Sequence, residues 1–195
     1  RGQGIGFPLE YEAAVYGGKL IHLKHVLNSM PLYLLQVLKL SKAVLVALGR
    51  IFNSFLWDKA LDTKRIHWAS WEKLCFPAKV GGLGVRSLDD MAKAFSCKLW
   101  WRLRQRGSIW LDFMFSKYIG DQHPLQAMVA RPKGTWKRLL GILELAEPQI
   151  TWSLGPGMVD FWLDTWCELG PLGTLVPTDM DRPHFLVAEF FSREG

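Results

Sequence analysis

Cysteine is scarce in these 195 residues: Cys75, Cys97 and Cys167 lie far apart, and none is part of a Cys-x-x-Cys pair. That spacing excludes both a disulfide framework and a zinc knuckle, and leaves buried free thiols as the expectation. No apolar run approaches the roughly 18 to 20 residues that cross a bilayer, and the start lacks the basic, apolar and small-residue pattern of a signal peptide. An intracellular protein with no membrane partner is expected. Disorder throughout is excluded by a composition that is 49% hydrophobic with ten Trp. The chain begins at Arg1 and ends at Gly195 beside the apolar Phe190 and Phe191, so it reads as a piece of a longer protein.

Catalytic constellations are also lacking. Polymerases and many nucleases hold two metal ions with carboxylates, and the sole adjacent acidic pair is Asp89-Asp90. It follows Ser87-Leu88 and opens a helical pattern, where acidic side chains favour a helix start over metal binding. His22 and His25 share a helix face but have no third ligand nearby in sequence. The Gly81-Gly82-Leu83-Gly84 run lacks the Lys-Ser/Thr of a phosphate-cradling loop and reads as a turn. No catalytic residue, metal site or cofactor is expected.

What is present is positive charge, unevenly placed. Through Tyr118 the chain carries 18 Lys/Arg against 8 Asp/Glu; from Ile119 onward it carries 6 against 10. A polyanionic partner for the first three-fifths is the functional reading, and a merely solvated basic surface is the alternative.

Apolar periodicity places helices along most of the chain. Residues 1–18, rich in Gly, read as a linker or the edge of a preceding domain. Leu20, Leu23 and Met30 mark a first helix, ended by Pro31. Ser41 caps a second with the stripe Val44, Leu48, Ile51 or Phe52, and Phe55. A brief strand is expected through Ile66, and a helical turn at Trp71. Trp57, Trp68 and Trp71 are expected in one core with the second helix. Ser87 opens a long helix with the stripe Leu88, Met91, Phe95, Leu99 and Leu103, Ser108 caps the next, and Thr135 a later one. Two short apolar runs, Ile150 to Leu154 and Met158 to Leu163, flank Gly155-Pro156-Gly157 and predict a β-hairpin. Residues 171–195 read as an irregular tail.

Between Gly18 and Trp166 a series of short motifs occurs in order. They are Gly18-Lys19-Leu20-Ile21, the run Val26 to Tyr33, Phe55-Leu56-Trp57, Trp68 and Trp71, Cys75 and Pro77, and Gly81 to Gly84. Then follow Lys98-Leu99-Trp100-Trp101-Arg102, Lys117-Tyr118, Trp136-Lys137, and Phe161-Trp162-x-Asp164-x-Trp166. In this order they resemble the region downstream of the polymerase palm in plant LINE-type (non-LTR retrotransposon) reverse transcriptases. Pro156 and Asp160 depart from the family's pattern.

The resemblance implies a mainly α protein: a thumb-like helical bundle at 19–118, then a small α+β connection module at 119–170 with one hairpin. It implies a non-catalytic fragment of an RNA-directed DNA polymerase, with the chemistry in domains outside this sequence and a nuclear location. The implied partners are an RNA/DNA or DNA duplex backbone and adjacent domains of the parent polyprotein. A degenerate retroelement fragment that only packs against other protein is the alternative. On the long helix, Lys93, Trp100 and Arg104 fall opposite the main stripe at 100° per residue, with Lys98 and Arg102 nearby. These five residues are the expected nucleic-acid-binding surface, since cations beside an accessible aromatic suit backbone-tracking contacts.

Overall fold

Serine side chains start three of the main helices. Ser41 Oγ accepts from Val44 N–H at the head of α3 (Lys42–Trp57), and Ser108 Oγ accepts from Leu111 N–H at the head of α6 (Ile109–Tyr118). Ser87 Oγ accepts from Asp90 N–H, while Asp89 and Asp90 occupy the first turn of α5 (Leu88–Gln105). Each hydroxyl satisfies a backbone donor that the helix itself leaves unpaired. The computed structural model describes residues 9–58, 66–105, 107–127, 131–154, 159–177, 184 and 186–192. Among these the protein is mainly helical and contains no strand.

Two compact units divide the chain, Arg1–Phe95 and Ser96–Gly195. The division falls inside α5 rather than after Tyr118. In the first unit α1 (Leu9–His22) continues into a π-helical turn, Leu23–Leu27, closed by Asn28 N–H to Leu23 O at 3.0 Å. The described part of 1–18 is thus helical from Leu9 onward. Pro31 then precedes α2 (Leu32–Val37), as a residue without a backbone donor is tolerated at a helix start. Leu23, Leu35, Phe52, Val85 and Leu88 form the core, with Trp71 packed edge-on against Phe52 at 5.6 Å.

α3 buries Gly49, Phe52, Asn53 and Leu56, while Val44 and Ile51 are exposed. Of the expected stripe, Leu48, Phe52 and Phe55 pack at the core and Val44 does not, and the buried face extends to Gly49, which admits Trp71. A Cβ at position 49 would lie 2.7 Å from the Trp71 ring. The expected three-tryptophan core is corrected in part. Trp71 belongs to it, and Trp57 is half-buried with its indole N–H donating to Asn53 Oδ1 at 2.9 Å. Trp68 is 82% exposed. The strand expected near Ile66 lies largely outside the described residues, and Ile66 and His67 themselves form none.

α4 (Trp71–Cys75) is short and leads through Pro77 to the tight Gly81-Gly82 turn. A Cβ on Gly82 would lie 1.9 Å from Phe76 O, so the backbone approaches itself too closely for any side chain there.

The second unit collects Trp100, Leu103, Leu111, Met114, Phe115, Trp136 and Leu139 around one core, with Tyr118 stacked on Trp136 at 5.0 Å. α7 (Gly134–Leu140) has Lys133 at its N-cap position, two residues before the cap expected at Thr135. α8 (Leu143–Ala146) follows, and α9 (Val187–Ser192) is the last helix. The β-hairpin is not formed by its described residues, and its turn at 155–158 lies outside them. Trp152 N–H instead donates to Thr165 O at 2.8 Å, and Asp160 makes an isolated antiparallel bridge to Leu186. The apolar runs looked like strands because each is short and flanked by Gly, a signal that buried irregular chain shares.

Candidate functional site

α5 carries all five residues expected to touch nucleic acid, and they part company. Lys93 is exposed but ion-paired, its Nζ 2.7 Å from Asp89 Oδ2 and 3.9 Å from Asp90 Oδ1. The bond to Asp89 and the charges of both carboxylates raise its pKa above the ordinary lysine value. Trp100 is wholly buried, with its indole N–H donating to Glu147 Oε1 at 3.1 Å. Arg104 is buried too, its side chain 5% exposed. The outward placement of Trp100 and Arg104 is therefore corrected, because the second half of α5 buries the side that the first half leaves open. Of the five, only Lys98 and Arg102 are both exposed and without an ion-pair partner among the described residues.

Arg104 is the centre of a buried polar cluster in the second unit. Its Nη2 donates to Asp164 Oδ1, its Nε lies 3.1 Å from Glu147 Oε1, and its guanidinium sits 5.2 Å from the centre of the Trp152 ring. Asp164, 3% exposed, also accepts from Asp160 N–H at 2.8 Å, and its Oδ1 lies 3.2 Å from His123 Nε2. Leu125 N–H donates to His123 Nδ1 at 3.3 Å, while His123 Nε2 lies 2.9 Å from Arg104 Nη1 as well as facing Asp164. Asp160 accepts in turn from Trp162 and Leu163 N–H, and its Oδ2 lies 3.2 Å from His184 Nε2.

Burial alone would raise the Asp164 carboxyl, but the His123 hydrogen bond, the Arg104 charge and the Asp160 amide together hold it below the ordinary carboxylate range. Burial dominates at Glu147 and pushes it up, although Arg104 and the Trp100 indole oppose this. The cluster ties Arg104 of α5 to Glu147, Trp152 and Asp164 inside unit two, although the buried Arg104 Nε and Trp152 indole nitrogen make no hydrogen bond there. Sequence reasoning missed it. An aspartate amid Phe161, Trp162, Leu163 and Trp166 was the available signal, since an acidic residue in an apolar run needs a buried partner.

Among the described residues no group of three or more His, Cys, Asp or Glu is placed to hold a metal ion. His22 lies against the Phe55 ring at 5.8 Å. No helix of the described residues is long and apolar enough to cross a membrane.

Charge also divides between the two units, though less steeply than at Tyr118. Residues 1–95 hold 13 Lys/Arg and 7 Asp/Glu, and residues 96–195 hold 11 of each, so the net +6 resides entirely in the first unit. Within that unit the 45 residues from Ala13 to Trp57 contain five Lys/Arg and no acidic residue. Lys39, Lys42 and Arg50 from this stretch are exposed, and none has an ion-pair partner among the described residues. Lys42 and Arg50 share a face of α3, two turns apart.

The chain is similar to a protein of Arabidopsis thaliana provisionally named a ribonuclease H protein, 33% identical over 178 residues. That likeness covers 85% of this chain but only 28% of the relative, so the chain spans little more than a quarter of that protein's length. It is also similar to an uncharacterized mitochondrial protein of the same plant, 27% identical over 142 residues, covering 71% of this chain and 92% of the relative. No protein-family model matches the chain, and no solved structure matches it.

Proposed function

We propose that this chain is a non-catalytic fragment of a plant LINE-type retroelement polyprotein, and that its first unit holds a template-primer duplex by its phosphates in the manner of a polymerase thumb. The second unit then serves as a connection toward neighbouring domains, which supply the chemistry in the nucleus. The observation that carries this reading is the acid-free stretch from Ala13 to Trp57, with exposed Lys39, Lys42 and Arg50. Surface cations are usually interleaved with acids; a run with none repels cationic partners and attracts a polyanion. The similarity to a far longer protein supports a piece that works beside other domains.

Titration of a labelled RNA/DNA hybrid between about 50 and 200 mM salt tests the reading, because each phosphate neutralised adds roughly 0.9 to the log-log slope on duplex DNA. Replacing Lys39, Lys42 and Arg50 with Gln lowers affinity and slope together while leaving sequence preference unchanged, since phosphate contacts position without specifying. A triple variant that binds like the parent across the titration removes this surface from the argument.

One observation favours the packing-module alternative. Met30, Tyr33, Leu34, Val37 and Leu38 are all exposed around α2, a run of apolar side chains suited to covering by protein. A chain that fails to bind any duplex yet self-associates through these residues decides for that alternative.

A further inference from the structure

The exposed side of the second half of α5 holds Lys98, Trp101, Arg102 and Gln105, spaced three and four apart and so on one face of the helix. No carboxylate interrupts it. Trp101 stacks on Trp152 with ring centres 5.5 Å apart and planes 29° from parallel, yet 36% of it remains exposed. Its structural task, covering Trp152, engages one face of the indole, and the residue as a whole keeps over a third of its surface in solvent. Trp152 is itself fixed, through its backbone bond to Thr165 and the Arg104 guanidinium over its ring. Trp101 is thus a flat aromatic stacked on a packed partner, with a cation at its i−3 and i+1 positions that has no ion-pair partner among the described residues.

We infer that Trp101 is a stacking platform for an unpaired base of single-stranded RNA or DNA, with Lys98 and Arg102 taking the phosphates on either side. This rests on the nucleic-acid reading above and names a different form of the ligand. A duplex shows an indole only base edges and backbone, whereas a single strand offers the π-face that stacking needs. Lys98 and Arg102 stand about 6 Å apart along the helix axis, one before and one after Trp101, and their long side chains can span to successive phosphates. The absence of an acid on this face matches a strand that carries one negative charge per nucleotide.

The test is fluorescence anisotropy of labelled single-stranded RNA, single-stranded DNA and a duplex of equal length, bound by the full chain. Trp101→Leu keeps apolar cover over Trp152 but has no π-face; Trp101→Phe keeps both. Near-ultraviolet circular dichroism and a urea midpoint confirm that each variant folds. Stacking of one base predicts a roughly five- to hundredfold loss for W101L on both single strands, with W101F close to the parent and duplex affinity unchanged. Lys98→Gln with Arg102→Gln lowers the single-strand salt slope by roughly 0.7 per phosphate lost. A W101L variant that binds single strands like the parent, or that loses duplex affinity equally, overturns the platform while leaving duplex binding by the first unit intact. Displacement of a bound single strand by W101L-sensitive binding of an acidic peptide would reassign the face to a protein partner. A parent that binds neither strand nor duplex overturns both readings together.

Discussion

Arg104→Leu is the sharpest perturbation of the second unit. It deletes the cation between the buried Asp164 and the part-buried Glu147, and leaves Asp164 with only His123 and the Asp160 amide beside it. Removing one partner of a buried ion pair costs about 3 to 5 kcal/mol, because the remaining charge stays out of water uncompensated. A domain is stable by only about 5 to 15 kcal/mol in total, so this single change brings the unit close to unfolding. Arg104→Lys keeps the charge but loses the planar fork that reaches Asp164 through Nη2 and Glu147 through Nε, and should fall between parent and Leu variant. Adding Asp164→Asn to the Leu variant removes the stranded charge and recovers part of the loss. Urea unfolding followed by near-ultraviolet circular dichroism measures all four proteins. A loss below about 1 kcal/mol for Arg104→Leu would place these groups in contact with water and refute the buried network. The same cluster sets a pH dependence of known sign. Native Asp164 stays ionised below the pH at which the unfolded chain takes up its proton, so its stabilisation is lost as pH falls from the ordinary carboxylate value through its depressed one. Glu147 acts oppositely: the native state holds its proton more tightly, so its contribution declines as pH rises from the ordinary value through the raised one. Asp164→Asn should flatten the acid limb of a stability-pH curve, and Glu147→Gln the limb above it.

Three further outcomes are expected. Gly82→Ala places a carbon 1.9 Å from the Phe76 carbonyl oxygen and should cost about 3 kcal/mol, the upper end of overpacking, in a urea midpoint comparison. Gly81→Ala next to it meets open space but a φ of +86°, and should cost only about 1 to 2 kcal/mol. The Cys75 thiol is pushed up to about 11, by burial first and by Glu72 and Asp90 after it. Alkylation of the native protein near pH 8 should therefore modify Cys75 far more slowly than an unfolded control, as followed by peptide mass spectrometry.

Helix starts were legible in the sequence because a cap is a local device: Ser41, Ser87 and Ser108 need only a backbone amide three residues on. The Gly81-Gly82 turn was legible for the same reason. Trp100 and Arg104 were misplaced because a single stripe was drawn along the whole of α5. Leu88, Met91, Ala92 and Phe95 face one core, while Ser96, Trp100 and Leu103 are buried at a register displaced from theirs, in the other unit. Averaging over both halves puts Trp100 outside. Asp164 escaped notice because its partners, Arg104 and His123, are 60 and 41 residues away, a distance at which periodicity carries no information.

Gly49 bears on how the first unit comes together in time. A glycine in the interior of α3 weakens that helix by roughly 1 kcal/mol relative to alanine, and it is there so that Trp71 can lie against the backbone. The segment is thus a poorer helix alone than in its finished setting, and the residue that completes it lies 22 positions later. The core it joins also needs Val85 and Leu88. On a ribosome adding about 5 to 20 residues per second, the N-terminal helices wait seconds for their last partners, and those arrive on α5. The closing of the first unit and the beginning of the second are therefore written into one stretch of nascent chain.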